Sequence, residues 1–81
     1  MINVHAYSTS DFYIAVCLCC LGFSIEHLDR TNPNRIVFCF RGNSEEIENA
    51  VKGYWDNTLK LSPAALFAQQ KLLKSRLHSS L

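Results

Sequence analysis

The sequence predicts an α+β domain in the order β-α-β-β-α-α, a three-stranded, mainly antiparallel sheet (order 1-3-2) packed with three helices. Three observations carry this reading. Arg35-Ile36-Val37-Phe38-Cys39-Phe40-Arg41 is apolar at every position between its two arginines. It is too short for a helix and rich in β-branched and aromatic residues, so it reads as a strand buried on both faces. Phe23 to Asp29 alternates before it, and Arg30-Thr31-Asn32-Pro33-Asn34 supplies turn residues between the two, which makes an antiparallel hairpin. Ile47, Ala50, Val51, Tyr54 and Trp55 recur at i, i+3, i+4, i+7 and i+8, the pattern of an amphipathic helix.

Taken in order, Ile2 to Tyr7 alternates as a short strand, with Ile2, Val4 and Ala6 on one face and Asn3, His5 and Tyr7 on the other. Ser8-Thr9-Ser10-Asp11 suits a helix N-cap and first turn, and a helix from about Ser10 to Leu21 ends at Gly22. Phe12, Ala15, Val16 and Cys19 form one apolar stripe of it, Ile14, Leu18 and Leu21 another, and Tyr13, Cys17 and Cys20 much of the rest. In the second strand Phe23, Ile25 and His27 should share one face, and Ser24, Glu26 and Leu28 the other. Asn43 or Ser44 caps the second helix, whose first turns carry Glu45, Glu46 and Glu48. Ser62-Pro63 starts a last helix running to about His78, with Leu66, Leu73 and Leu77 on one stripe and Phe67 beside it. A right-handed crossover makes strands one and two parallel. Placing strand three between them explains why it alone is apolar on both faces.

The 81 residues form a single domain, 1–81, near the lower size limit for one self-sufficient core, so self-association is expected. At 48% hydrophobic and 19% charged the composition is that of a soluble globular chain. The net charge of +1 gives no blanket attraction to nucleic acid or acidic lipid. Met-Ile-Asn-Val-His has no basic segment before an apolar core, so no signal peptide is expected. The longest apolar run, Ile14 to Leu21, is far too short to span a membrane. A reducing cytoplasm with free thiols is the expected compartment.

The candidate chemistry is sparse. Cys17, Cys20 and Cys39, with His27 or His5, could make a zinc site, but the second paired ligand spacing is missing. Core packing of reduced, metal-free thiols is the preferred reading, and no cofactor is expected. His5 could approach Cys39 across the sheet, without an acid or oxyanion device to make a catalytic site. Gly22, Gly42 and Gly53 are isolated and make no phosphate loop. Lys71, Lys74 and Arg76 on the last helix could touch phosphates, although no aromatics interleave with them and a solvated face is favoured. Trp55 is expected to anchor the core between the second helix and the sheet.

Several short motifs carry a resemblance. Tyr7-Ser8-Thr9-Ser10-Asp11 followed by Ala15 and Gly22, the strand Val37-Phe38-Cys39-Phe40, the Tyr54-Trp55 pair ending a helix, and Leu61-Ser62-Pro63 leading to Leu73-Lys74 resemble a family of small bacterial and phage proteins. That family is domain of unknown function 5659, and the resemblance spans nearly the whole chain. Tyr54, where a phenylalanine would be expected, and the Cys-x-Cys-Cys cluster depart from the pattern. The resemblance implies the fold and a bacterial or phage-like cytoplasmic setting, and it assigns no catalytic or binding residue.

The expected function is therefore that of a non-enzymatic protein-interaction module that self-associates. Its candidate surface is the sheet face expected to stay open, His5, Tyr7, Glu26, Val37 and Cys39, with the apolar first helix as the alternative contact. The alternatives are a nucleic-acid-associated accessory protein using Lys71, Lys74 and Arg76, and a thiol or metal site around Cys17, Cys20 and Cys39.

Overall fold

The sheet is built around β3 (Arg35–Arg41), which pairs antiparallel with β1 (Tyr7–Thr9) on one side and β2 (Ser24–Asn32) on the other, giving the order β1-β3-β2. The structure is a computed structural model and describes residues 7–79. Three helices complete it: α1 (Phe12–Cys20), α2 (Ser44–Trp55) and α3 (Pro63–Ser79). The expected element order, pairing and strand order are all present.

Each helix boundary has a local cause. Asp11, in extended backbone, accepts hydrogen bonds from the N–H groups of Tyr13 and Ile14 at 2.9 and 3.1 Å and so caps α1. The helix therefore starts later than the hydroxyl-rich sequence suggests, because Ser8 and Thr9 are spent on β1. Thr9 Oγ1 instead accepts from the Asp11 N–H at 3.0 Å and holds the cap in place. At the other end the N–H of Phe23 donates to the Leu18 carbonyl and that of Gly22 to Cys19, with Gly22 at φ 99°. That double bond pattern needs a left-handed residue, which glycine adopts without a Cβ penalty. α2 closes in the same way around Asn57 at φ 61°, with Thr58 donating to Gly53 and Asn57 to Tyr54.

The core lies between the sheet and one layer of helices. Phe38 and Phe40 of β3 meet Ile14, Ala15, Val16 and Leu18 of α1, Ile47 of α2 and Leu73 of α3. The molecule is 19 Å across its shortest axis, the thickness of one sheet plus one helical layer at about 10 Å each. α1 lies centrally, between α2 on one side and α3 on the other.

Two corrections concern which face a residue takes. Tyr7 pairs with Phe40 and packs against the core, so it does not belong to the open face; His5, Val4 and Ala6 lie outside the described residues. In β2, Ile25 pairs with Phe40 but His27 pairs with Cys39 and Leu28 with Phe38. One extra residue, Glu26, is inserted, and such a bulge reverses the alternation beyond it. Leu28 is thereby turned into the core and His27 out of it, the opposite of what strict alternation predicts. Glu26 itself is half-buried in the bulge, with one carboxylate oxygen shielded from solvent. A second irregularity between Asp29 and Asn32 lets β2 run to Asn32, where Asn32 Oδ1 accepts from the Asn34 N–H at 2.9 Å and tightens the turn.

Because Glu26 is the surplus residue, deleting it leaves Ile25, His27 and Leu28 opposite Phe40, Cys39 and Phe38 in unbroken register. The shortened chain should fold to the same structure, with stability changed by about 1 kcal/mol at most. Thermal melting checks this, and a chain that no longer melts cooperatively would mean the bulge is required.

Candidate interaction surface

The face of the sheet turned away from the helices carries a row of Ser8, Cys39 and His27, one residue from each strand. Val37 opposite Asp29 follows, and Arg35 and Arg41 stand at the two ends of β3. Cys39 is only 5% exposed and Val37 half-buried, while Ser8, His27, Arg35 and Arg41 are exposed. Thr31 hydrogen bonds through its side chain and backbone hold the Asp29 carboxyl below its ordinary range, with a smaller contribution from His27. With Tyr7 and Leu28 turned inward, this face is polar around a small apolar centre.

The exposed apolar surface is elsewhere, on the outside of the helical layer. Ala15 faces the sheet, and successive residues of a helix turn by about 100°, so Tyr13, Cys17 and Cys20 face away from it. The structure shows Tyr13 59% exposed. Trp55 at the end of α2 is 65% exposed, which overturns its expected role as a core anchor. Its i+8 position stands at the edge of the α2 stripe, while Ile47, Ala50, Val51 and Tyr54 take the inward positions. Tyr54 packs against the core and meets the Trp55 ring edge-on, with centroids 5.1 Å apart. Phe67 on α3 is 65% exposed as well.

These elements leave a groove over the outer face of α1. Cys17, Tyr54, Trp55 and Leu66, with Leu59 and Leu61 of the α2–α3 connection, line an open cleft of about 540 Å³. A smaller hollow of about 240 Å³ joins it between Tyr13, Cys17, Tyr54, Leu66 and Gln70. Gly53 lets Leu59 fold back, since a Cβ there would stand 3.2 Å from the leucine Cδ2. The Cys20 thiol donates to the Ala65 carbonyl at 3.6 Å and ties the end of α1 to the start of α3.

Electrostatics make this groove neutral. Burial pushes the Cys17 thiol up, with smaller effects from Cys20 and Asp11. Burial likewise raises Cys19 and Cys20, and raises the Tyr54 hydroxyl. Protonated thiols are poor nucleophiles and poor metal ligands. Cys17 and Cys20 do share the outer face of α1, but Cys39 stands on the far side of the sheet, so the proposed three-cysteine site is not brought together. Among the described residues no group of three His, Cys, Asp or Glu side chains could hold a metal ion.

The basic trio of α3 is divided as well. Lys71 and Lys74 share a flank, some 60° apart around the helix. Arg76 lies on the other flank, lining a hollow with Cys19, Phe23, Ile25 and Leu72 against β2. Sequence reasoning did not place Tyr13 and Phe67 as surface aromatics; the signal for both was a position outside the main apolar stripe of the helix that carries it.

With its ring mostly in water, Trp55 contributes little to folding. In dilute protein Trp55→Ala should cost about 0.5–1 kcal/mol, the edge-on contact with Tyr54 being the main loss. Urea denaturation reads this directly; a loss above about 3 kcal/mol would return the ring to the core.

No described helix is long and apolar enough to cross a membrane. A family model described as Domain of unknown function (DUF5659) matches residues 4–79. No curated protein and no solved structure matches the chain.

Proposed function

Since the chain belongs to the family described as Domain of unknown function (DUF5659), we propose its role from the surface it presents: a non-enzymatic protein-interaction module that docks through the outside of its helical layer. The observation that carries this is the exposure of Trp55 and Tyr13 beside the apolar groove over α1. Large aromatics left in water are disfavoured in a small soluble chain, and Trp and Tyr are the residues that interface centres concentrate. The groove offers shape and apolar area, with Tyr54 and Gln70 as polar points. Burial raises its Cys17 thiol, the opposite of the shift that activates a nucleophile. Of the two contacts expected, the open sheet face and the first helix, the sheet face is the weaker candidate because its apolar centre is small and Cys39 is buried.

A benzophenone side chain placed at Trp55, and in a control at exposed Ser8 on the other face, tests the reading in cells. The expected result is a discrete polypeptide adduct from position 55 and none from position 8. No adduct from position 55, or an adduct from position 8 alone, would overturn it.

A further inference from the structure

We infer that the outer flank of α3 binds a single-stranded nucleic acid, with Phe67 stacking on a base and Lys71 and Lys74 holding phosphates along the helix. This is a second binding surface beside the groove, and it stands whether or not the groove takes a protein. Two observations carry it: the division of charge along the chain, and an exposed aromatic within the basic part.

The net charge of +1 hides a division. All 7 acidic residues stand at or before Asp56. Lys60, Lys71, Lys74 and Arg76 follow, with no acidic residue among or after them. Residues 57–81 are thus a basic segment joined to an acidic remainder, an asymmetry that suits a polyanionic partner. The fold keeps the two charges apart. Glu45, Glu46 and Glu48 lie in the first turns of α2, which begins beside the end of α1: a Cβ on Gly42 would stand 3.6 Å from both Ile47 and Phe23. α3 also begins there, where the Cys20 thiol meets the Ala65 carbonyl. Lys71 and Lys74 come about 9 and 13 Å further along the helix, toward the opposite end. Asp56, at the end of α2, pairs with Lys52 2.9 Å away, and Asp11 is engaged as the cap of α1.

The aromatic stands among these cations. Around α3, Gln69, Leu73 and Arg76 turn to the hollow against β2, and Leu66 and Gln70 to the hollow over α1. Continuing in the same sense at about 100° per residue brings Phe67, Lys71, Lys74 and His78 within about 60° of one another, on the side away from the sheet. All four are exposed, Phe67 by 65%. The expectation that no aromatic interleaves with the cations of α3 is thereby corrected. A row of cations tracks a phosphate backbone, and an exposed ring offers a stacking platform to any base. A duplex keeps its base faces covered, so the ring favours a single strand. A lipid surface fits less well. Leu66, Leu73 and Leu77 are spent on the core, and exposed Leu72 lies on the other flank, so α3 keeps no continuous apolar face to insert.

Fluorescence anisotropy of labelled oligothymidylate and oligouridylate, each about 16 nucleotides long, tests this with the whole chain over a range of salt concentrations. The unaltered chain should bind, with log K falling linearly against log salt. Binding to either oligonucleotide supports the inference, and the tighter of the two identifies DNA or RNA. Lys71→Ala combined with Lys74→Ala should reduce the salt slope by about 1.4, the loss of two phosphate contacts on a single strand. Phe67→Ala should weaken binding about tenfold or more at every salt concentration without changing the slope, and Phe67→Tyr should restore it. All three positions are exposed, and circular dichroism checks that each variant folds. No binding at low salt, or a Phe67→Ala chain that binds as well as the unaltered one, would overturn the inference. So would equal displacement by polyglutamate, which offers charge without bases, tighter binding to a duplex than to a single strand, or binding to anionic vesicles with none to the oligonucleotides.

Discussion

Phe40→Ala should leave the protein only marginally stable, because it removes about 3–5 kcal/mol from a domain whose whole stability is expected to be about 5–10 kcal/mol. Phe40 is fully buried near the end of the central strand, paired with Tyr7 on one side and Ile25 on the other. Its ring lies where α1 and α2 both reach the sheet. A cavity there cannot be filled by one neighbour's movement, since strand pairing fixes the backbone on both sides and Ala15 and Ile47 are themselves fully buried. Equilibrium urea unfolding followed by Trp55 fluorescence and by circular dichroism measures the loss. A change below about 1.5 kcal/mol would mean that the helices close over the site and that the core is not organised around β3.

How much of this was legible in the chain differs from element to element, for physical reasons. The central strand was legible because Ile36 to Phe40 is apolar without interruption, and residues of both faces are buried there: Phe38 and Phe40 under the helices, Cys39 on the other side. The α2 stripe was legible because four of its five positions do face the core. Trp55 was not, because a residue at i+8 stands far enough round the helix to be either the last core position or the first exposed one, and periodicity does not separate the two. Tertiary packing decides: the connection folds Leu59 and Leu61 back beside Gly53, and Trp55 is left outside.

The faces of the sheet show the same limit. Alternation assigns faces only while the register is unbroken, and one surplus residue at Glu26 inverts the assignments from His27 to Asp29. Phe23 to Asp29 carries no glycine to announce a bulge. Burying Leu28 opposite Phe38 and letting His27 out is the more favourable arrangement, but only the pairing partner reveals it. This one residue also moves the candidate site. With Leu28 and Tyr7 on the expected open face, that face would hold a continuous apolar centre; with both turned inward it does not, and the helical layer is left with the larger exposed aromatics. The apolar surplus of α1, by contrast, was legible from its composition: a helix apolar nearly all round needs cover on more than one side, and Tyr13, still 59% exposed, marks the side that lacks it.

Ala15→Phe should cost about 3 kcal/mol or more, the upper end of what overpacking a core produces. Ala15 is 0% exposed on the face of α1 that rests on the sheet, directly opposite the outward row of Tyr13 and Cys17. A small side chain there lets α1 lie close to Phe38 and Phe40, and that closeness in turn lets α2 and α3 reach the sheet past it. A benzyl group leaves two options. Either α1 lifts, opening its contacts with both flanking helices, or the phenylalanines of β3 leave their rotamers. Lifting has a signature of its own, because the bond from the Cys20 thiol to the Ala65 carbonyl depends on α1 lying at its present height. The variant should therefore lose stability in urea and also expose Cys20 to thiol reagents faster than the unaltered chain does. A loss under about 1 kcal/mol with unchanged thiol reactivity would show that α1 sits loosely on the sheet, and the groove above it would then be deeper and more adaptable than its present walls imply.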